Sequence, residues 1–268
     1  MFSSFLVVSR ESFEAVMIIA IILGFLTKTK QTQYKKYVWS SVALGLILTG
    51  LIVYILKITL GSYTNRAEGF LGGPTLIISS LFILSMVIWM AKTGASAGNK
   101  LKEDLIGLVE SKRVWGLMFL VTTAILREGI ETFFFLLAVI GTENSQGILI
   151  GSLLGLLTSL VIGYLMVKGA IKINMSSFFK VFSYLLILIS AGFFAHGIKK
   201  LQSVETIPTI IKKLWDTTWL IDKHSLFGGF FKGMFSYDPK PSLMSLCAYI
   251  LFLFIGFYTY NTLSNKNK

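Results

Sequence analysis

Residues 114–140 read VWGLMFLVTTAILREGIETFFFLLAVI, an apolar run interrupted near its centre by Arg127, Glu128 and Glu131. A helix of roughly 20 apolar residues crosses the hydrocarbon core of a membrane, which is about 30 Å thick. Because backbone polar groups in lipid must be satisfied within their own segment, this run is predicted to be a transmembrane helix. Its three charges then lie where a charge is most costly, so they require an explanation.

The composition of the whole chain is that of a protein embedded in lipid. Its 268 residues are 54% hydrophobic and 14% charged, with a mean hydropathy of +0.74, whereas soluble domains carry about 25% charged residues. These values exclude most soluble enzymes, secreted disulfide scaffolds and nucleic-acid-binding modules. The net charge of +12 does not indicate a nucleic-acid partner, since the basic residues lie in short connections. The single cysteine, Cys247, excludes an internal disulfide and a cysteine-based metal site.

Seven apolar windows predict an all-α integral membrane protein with one domain, residues 1–268. The predicted transmembrane helices cover residues 5–27, 37–56, 70–91, 114–140, 147–167, 179–199 and 243–262. Fourteen Lys and Arg residues lie after the first, third and fifth windows and in the tail, whereas the short connections on the other side hold only Lys57 and Arg66. Because cytoplasmic connections carry the excess of Lys and Arg, the amino terminus is predicted outside the plasma membrane and the carboxyl terminus in the cytoplasm.

Two segments outside the charged runs also carry structural predictions. The outer connection, residues 200–242, holds apolar residues near helical spacing, which predicts an amphipathic helix at the membrane interface or, alternatively, a covering loop. These residues are Ile207, Ile210, Ile211, Leu214, Trp215, Trp219 and Ile221. In the fifth window, Gly147, Gly151 and Gly155 recur every four residues, a spacing that favours close packing of helices.

The charged motif occurs twice, in the first window and in the fourth. The sequences Arg10-Glu11-Ser12-Phe13-Glu14 and Arg127-Glu128-Gly129-Ile130-Glu131 both read Arg-Glu-x-x-Glu. At 3.6 residues per turn, the charged groups of each motif project from one sector about 100° wide. Glu14 lies nine residues after the start of its window and Glu131 nine residues before the end of its own. Antiparallel helices would bring both pairs to one height, as in a 3+3 inverted repeat followed by a seventh helix.

Four carboxylates that converge inside a membrane indicate a cation site. Each charge at the membrane centre costs roughly 2.5–3.5 kcal/mol, and buried ion pairs are weak evidence for a purely stabilising role. With every group ionised, four Glu and two Arg leave a formal charge of −2. Oxygen ligands without Cys or His suit hard cations, and this chemistry leaves Ca²⁺, Mg²⁺, Mn²⁺, Fe²⁺ and Fe³⁺ open. Displacement of a carboxyl proton by the arriving metal is a hypothesis for energy coupling.

The two motifs resemble those of the FTR1-type high-affinity iron permeases, a family with bacterial EfeU-like members. That family carries Arg-Glu-Gly-x-Glu in the first and in the fourth of seven spans. Residues 127–131 fit this pattern fully, whereas the first motif has Ser12 in place of Gly. Further segments similar to the family are SAGFFAHGI at 190–198, HSLFG at 224–228, FSY at 235–237 and PS at 241–242.

The resemblance implies iron import across the plasma membrane, as Fe³⁺ or as Fe²⁺ oxidised nearby. The residues implied in handling the ion are the motif glutamates, with the two arginines balancing charge: Glu11, Glu14, Glu128, Glu131, Arg10 and Arg127. The resemblance further implies iron as the transported ion without an organic cofactor, a transporter and not an enzyme, contact with lipid, and an iron-oxidising or iron-binding partner outside the membrane.

Accessory ligands and rival functions complete the predictions. The candidate accessory ligands are His196, Glu68, Asp216, Asp222, His224 and Asp238, with a structural histidine and solvated loop acids as the alternatives. Rival functions are a carrier for Mn²⁺ or Pb²⁺, an intramembrane di-iron enzyme, and a receptor or structural subunit. Di-iron sites of helix bundles add His three residues after a Glu, and both motifs have Glu at that position.

Overall fold

A computed structural model of the chain describes residues 1–110, 113–140, 143–168, 175–209, 211, 213–217 and 238–266. Within these ranges, the description covers the backbone but not the side chains of residues 57, 59–71, 93–102, 104, 109–110, 167, 175–176 and 265–266. The described backbone contains helices and short connections and no strand. The helices are α1 Phe2–Lys28, α2 Lys35–Glu110, α3 Val114–Ile140, α4 Ser145–Val167, α5 Met175–Ser203 and α6 Leu243–Lys266, and a 3₁₀ turn covers Thr32–Tyr34. The all-helical prediction is therefore confirmed for the described residues.

Within the described residues, five helical stretches are long and apolar enough to cross a membrane. They are Thr32–Leu56, Gly72–Lys92, Ser145–Met166, Ser177–Ser203 and Leu243–Ser264. The two other predicted windows are helical as α1 and α3, and each carries one Arg-Glu-x-x-Glu motif. The three charges of each motif separate α1 and α3 from these five stretches, so the count of seven spans, the inverted repeat and the orientation stay predictions.

The two motif-bearing helices run antiparallel. At the start of α1, the backbone N–H of Ser3 donates to Oε1 of Glu143, which follows the end of α3, at 2.8 Å. Towards the end of α1, Ile22 packs in one apolar cluster with Val121 from the first half of α3. The two motifs therefore lie at the same level of the bundle.

The first half of α2 runs parallel to α3. A Cβ atom on Gly45 would lie 2.9 Å from Cβ of Ile125, and one on Gly129 would lie 2.4 Å from Cγ2 of Thr49. The four-residue step from Gly45 to Thr49 thus matches the four-residue step from Ile125 to Gly129. The Thr49 side chain of α2 packs directly on the second motif because Gly129 has no side chain.

The second half of α2 runs against α3. The Phe82 ring lies 5.7 Å from the Phe134 ring, and the guanidinium of Arg127 lies 4.3 Å from the centroid of Trp89. A later residue of α2 thus meets an earlier residue of α3. The chain direction therefore reverses within α2 between Thr49 and Phe82, and both predicted windows of α2 contact the helix that holds the second motif.

Close packing of α4 on α1 follows from its glycines, and the sequence prediction is confirmed. A Cβ atom on Gly151 would lie 2.2 Å from the carbonyl oxygen of Met1, and one on Gly155 would lie 2.8 Å from that of Phe5. Any side chain at either position would meet backbone, which cannot rotate away. The hydroxyl of Ser159 then donates to the carbonyl of Ser9 at 2.7 Å, so the two helices run parallel in direct contact.

The described side chains form two apolar clusters, one on each side of the charged level. The large cluster comprises Val7, Leu76, Ile83, Leu84, Met86, Val87, Phe135, Ala138, Val139, Leu186, Ile187, Ile189, Ala191, Phe193, Phe252 and Tyr260. The small cluster comprises Ile22, Leu26, Tyr34, Val38, Leu105, Leu117, Val121 and Ile125. Along α1, the motif lies between Val7 of the large cluster and Ile22 of the small one. The charged level is therefore enclosed by apolar side chains towards both ends of the bundle.

The predicted interfacial helix is wrong for the described part of the outer connection. Residues 204–209, 211 and 213–217 form turns and irregular backbone. The N–H of Leu214 donates to the carbonyl of Pro241 at 3.0 Å, and that of Leu243 donates to the carbonyl of Ile211 at 3.2 Å. These backbone groups bond to a distant segment, so they do not close a helical turn. Ile210, Trp219 and Ile221 lie outside the described residues.

Candidate metal site

The antiparallel helices bring the two motifs together. One carboxylate oxygen from each of Glu11, Glu128 and Glu131 lies within 4.8 Å of the other two. Among the described residues, this is the one group of three or more carboxylate, imidazole or thiol side chains with such a spacing. Glu14 adjoins it through Arg10, because the Arg10 Nη2 atom lies 2.7 Å from Glu14 Oε1 and Nη1 contacts Glu11.

The carboxylates are buried, and each has an oxygen that accepts no hydrogen bond. Glu11 is 1%, Glu14 8% and Glu128 6% exposed, and the Glu131 side chain is 16% exposed. The oxygens without a donor are Glu11 Oε2, Glu14 Oε1, Glu128 Oε2 and Glu131 Oε2. A buried polar atom without a partner costs about 1–3 kcal/mol, and more when it is charged. Glu14 Oε1 lies 2.7 Å from Arg10 Nη2, and the three other oxygens, of Glu11, Glu128 and Glu131, therefore form a site suited to a cation.

The two arginines differ although their motifs match. Arg10 is 1% exposed and contacts both Glu11 and Glu14. The Arg127 side chain is 43% exposed, and its Nε donates to Glu131 Oε1 at 2.7 Å. The face of its guanidinium lies over Trp89, where a cation–π contact adds to the ion pair. The sequence gives no signal for this difference, because it depends on which part of α2 packs on each motif.

Two methionines of α2 belong to the site and escape prediction from the sequence. The Met86 sulfur lies 3.3 Å from Arg10 Nη1, and the Met90 sulfur contacts Nη2. The only sequence signal is their spacing of four residues, which places both side chains on one face of a helix. Any packed apolar face shows that spacing, so it does not distinguish a site from a core.

Phe13, the fourth residue of the first motif, fixes that motif against α5. Phe13 is 1% exposed, and its ring centroid lies 3.9 Å from that of Phe178 in α5. Ser12, which stands where the second motif has Gly129, is half-buried. One side of α1 packs on Phe178 of α5, and another side packs on Gly151 and Gly155 of α4. The side that carries Glu11 therefore faces α3.

His196 lies apart from the glutamates. Its Nδ1 is 3.0 Å from the carbonyl oxygen of Gly192, one turn earlier in α5. Its neighbour Gly197 packs on Ile77 of α2, since a Cβ atom there would lie 2.7 Å from Ile77 Cγ1. Ile77 precedes Met86 by nine residues, which at the rise of a helix is roughly 13 Å along α2. The structural interpretation of His196 is therefore favoured over a role in the carboxylate cluster.

Two acids of the outer connection, Asp216 and Asp238, pair with lysines. Asp216 Oδ2 lies 2.6 Å from Lys213 Nζ and 3.3 Å from Lys240 Nζ, and Asp238 accepts from Lys199. Burial is the largest influence on Asp238 and favours a higher pKa, but hydrogen bonds from Lys199 and from the backbone N–H of Lys240 outweigh it, so the pKa lies below its ordinary value. Asp222, His224 and the Glu68 side chain lie outside the described residues.

Glu143 closes the bundle at the start of α1. Besides the N–H of Ser3, its carboxylate accepts from the Ser4 hydroxyl at 2.7 Å and contacts the amino group of Met1. Burial is the largest influence on Glu143 and favours a higher pKa, but the hydrogen bonds from the amino group and Ser4 outweigh it, so the pKa is lowered. This carboxylate satisfies donors at the first turn of α1 and so holds α1 to the end of α3.

Comparison with known proteins gives one family. Residues 1–262 match the family model described as the iron permease FTR1 family. Proteins named ferrous iron permease EfeU are similar to the chain: that of Yersinia pestis is 29% identical over 255 residues, covering 94% of this chain and 90% of the relative. That of Escherichia coli O6:H1 is 29% identical over 256 residues, covering 94% and 92%. No solved structure matches the chain.

Proposed function

The chain belongs to the iron permease FTR1 family, and from this premise we propose that the glutamates of its two motifs bind the iron ion as it crosses the membrane. It is a multi-pass protein of the plasma membrane, in contact with lipid, that transports iron. The proposed ligands are Glu11, Glu14, Glu128 and Glu131. The observation that carries the proposal is that Glu11, Glu128 and Glu131 each keep one buried oxygen without a hydrogen-bond partner, and Glu14 adjoins them through its ion pair with Arg10.

Charge balance supports a divalent ion at this site. Four ionised carboxylates with Arg10 and Arg127 leave a formal charge of −2, which one Fe²⁺ neutralises. The similar proteins of Yersinia and Escherichia are named ferrous iron permeases. We therefore propose Fe²⁺ as the ion bound by the glutamates, in place of Fe³⁺. The iron-oxidising or iron-binding partner outside the membrane stays a prediction.

The two apolar clusters support transport by alternating exposure. The large cluster closes the site towards the start of α1 and the small cluster towards its end. An ion bound between them reaches water only when one cluster opens. If the clusters open in turn, the ion crosses without a continuous pore, as expected for a site at the interface of two inverted repeats.

Uptake of radioactive iron into vesicles that contain the purified protein tests this function. Under anaerobic, reducing conditions, the single variants Glu11→Gln, Glu128→Gln and Glu131→Gln should each lower Fe²⁺ uptake at least about tenfold, because a charged ligand worth about 1.5–3 kcal/mol is lost. Glu103→Gln, at an exposed glutamate of α2, is the matched control and should leave uptake unchanged. Folded site variants that transport at the wild-type rate would show that the glutamates do not bind the ion.

The same vesicles separate iron transport from its rivals. Mn²⁺ or Pb²⁺ that is taken up faster than Fe²⁺ at equal concentration would favour a carrier for another cation. A receptor or structural subunit would show no uptake and would tolerate the glutamate substitutions.

A further inference from the structure

Two methionine sulfurs face the same charged level as the glutamates. Met86 and Met90 lie one turn apart on α2, and both sulfurs contact the guanidinium of Arg10. Met86 is 7% exposed and Met90 is half-buried. The sulfurs therefore lie inside the bundle, next to the carboxylates that Arg10 contacts.

The guanidinium of Arg10 is surrounded by two oxygens and two sulfurs. Nη1 contacts Glu11 Oε1 and lies 3.3 Å from the Met86 sulfur. Nη2 forms an ion pair with Glu14 Oε1 at 2.7 Å and also contacts the Met90 sulfur. A positive group thus occupies a position with two carboxylate and two thioether donors.

This donor set is unusual for an arginine and suitable for a metal ion. A thioether is a weak hydrogen-bond acceptor, so two sulfurs compensate a buried guanidinium poorly. For metal ions, thioether ligands select softer cations, and affinity rises from Mn²⁺ to Fe²⁺ at a given site. Two carboxylates with two thioethers therefore suit Fe²⁺ better than Mn²⁺, Mg²⁺ or Ca²⁺, which prefer oxygen ligands.

We propose that Met86 and Met90 are ligands of Fe²⁺ in transit, at a position beside the glutamate cluster that the Arg10 guanidinium occupies in this structure. The proposal rests on the proposed function and deepens it by naming what distinguishes iron from harder divalent ions. When the ion enters, the Arg10 guanidinium withdraws. One cation replaces another, so the carboxylates of Glu11 and Glu14 keep a positive partner. Glu11 belongs both to the cluster with Glu128 and Glu131 and to the position that the Arg10 guanidinium occupies. The ion can therefore pass from one position to the other without leaving the charged level.

Selectivity is the first test. Met86→Leu and Met90→Leu keep an apolar side chain of similar volume and remove the sulfur. In anaerobic vesicles, each should lower Fe²⁺ uptake at limiting concentration about tenfold, the effect of weakening a metal site by about 1.4 kcal/mol, and should leave Mn²⁺ uptake within about twofold. Met118→Leu, at a half-buried methionine of α3 beyond the charged level, is the control and should change neither.

The outcomes separate this proposal from the function on which it rests. Equal loss of Fe²⁺ and Mn²⁺ uptake in the methionine variants, or loss of neither, overturns the role of the thioethers while the glutamate results stand. Wild-type vesicles without iron uptake, or glutamate variants with full uptake, overturn the function itself and the methionine role with it.

X-ray absorption at the iron edge gives a readout that does not depend on transport. The Cys247→Ser background removes the one cysteine, so sulfur in the coordination shell of Fe²⁺ can only come from methionine. We expect a sulfur contribution in that background, and its loss when Met86→Leu and Met90→Leu are combined. A shell with oxygen and nitrogen alone in the Cys247→Ser protein would overturn the proposal.

Discussion

At the scale of single residues, the site depends on how each charge is compensated. Arg10 is enclosed by two carboxylates and two sulfurs, while Arg127 is half-exposed beside Trp89. Removal of one partner from a buried ion pair leaves the other charge uncompensated, which destabilises a protein by about 3–5 kcal/mol. Arg127 contacts one carboxylate where Arg10 contacts two, so its removal leaves less buried charge uncompensated.

The two arginines should therefore differ in their contribution to stability. Arg10→Gln should lower the free energy of unfolding by about 3–5 kcal/mol, whereas Arg127→Gln should lower it much less. Thermal unfolding of the purified protein in detergent, followed by circular dichroism, measures both. Equal decreases in the midpoint would contradict the difference in burial on which the expectation rests.

Glu143 gives the stability of the protein a defined dependence on pH. Its pKa in the folded protein lies below the ordinary value of 4.5. A carboxylate with a lowered folded pKa contributes its full stabilisation above the unfolded value, and the contribution is lost as the pH falls through the folded value. The midpoint difference between wild type and Glu143→Gln should be constant above about pH 5 and should shrink on acidification.

Ser4→Ala is the matched control for this pH dependence. It removes one of the donors to Glu143 and keeps the carboxylate. The midpoint difference between wild type and Ser4→Ala should therefore also shrink on acidification, but it should be smaller than the difference for Glu143→Gln. A midpoint difference for Glu143→Gln that is unchanged down to pH 3 would contradict the ionised, hydrogen-bonded carboxylate.

How far residues could be predicted from the sequence depends on what fixes them. The spacing of three residues between Glu11 and Glu14 is a property of one helix, and together with antiparallel helices it predicts the cluster. The sulfur contacts of Met86 and the exposure of Arg127 depend on the packing of a third element, α2, which no local pattern specifies. Sequence spacing therefore predicts which charges meet, but not what surrounds them.

At the scale of helices, glycine positions decide which elements touch. The contact of α1 with α4 depends on the backbone approach at Gly151 and Gly155. The four-residue period of these glycines is visible in the sequence, so this contact could be predicted. The reversal within α2 and the irregular outer connection could not be predicted as readily, because they depend on contacts between residues far apart in the chain.

Substitution of a glycine that packs against another helix should therefore destabilise the protein, whereas substitution of a glycine without close neighbours should stabilise it. Gly151→Ala places Cβ 2.2 Å from a backbone oxygen of α1, so the helices must separate, at a cost of about 1–3 kcal/mol. Gly24→Ala has nothing within 4 Å of its Cβ and should stabilise α1 by up to about 1 kcal/mol through helix propensity. Thermal unfolding of the two variants decides the point, and a stabilised Gly151→Ala protein would contradict the close approach.

At the scale of the whole molecule, the position of the charged level between two apolar clusters determines the mechanism. Val7 and Ile125, one from each cluster, are 1% and 4% exposed. The windows and the matched depth of the motifs predicted that the charges lie within the bundle. They did not predict that both ends are closed at once, because closure depends on side chains from α2, α5 and α6 that pack over the site.

This closure predicts how each cluster reacts with a membrane-impermeant thiol reagent. In the Cys247→Ser background, Val7→Cys and Ile125→Cys should both be labelled slowly without iron, whereas Lys30→Cys, at an exposed residue after α1, should be labelled rapidly. With Fe²⁺ supplied to one side, labelling should increase at only one of the two buried positions at a time, because the clusters open in turn. Labelling of both positions by a reagent present on one side alone would demonstrate a continuous pore, and the alternating mechanism would then be wrong. Since the reagent reaches Lys30→Cys from one side only, the same measurement also tests the predicted cytoplasmic location of the connection after α1.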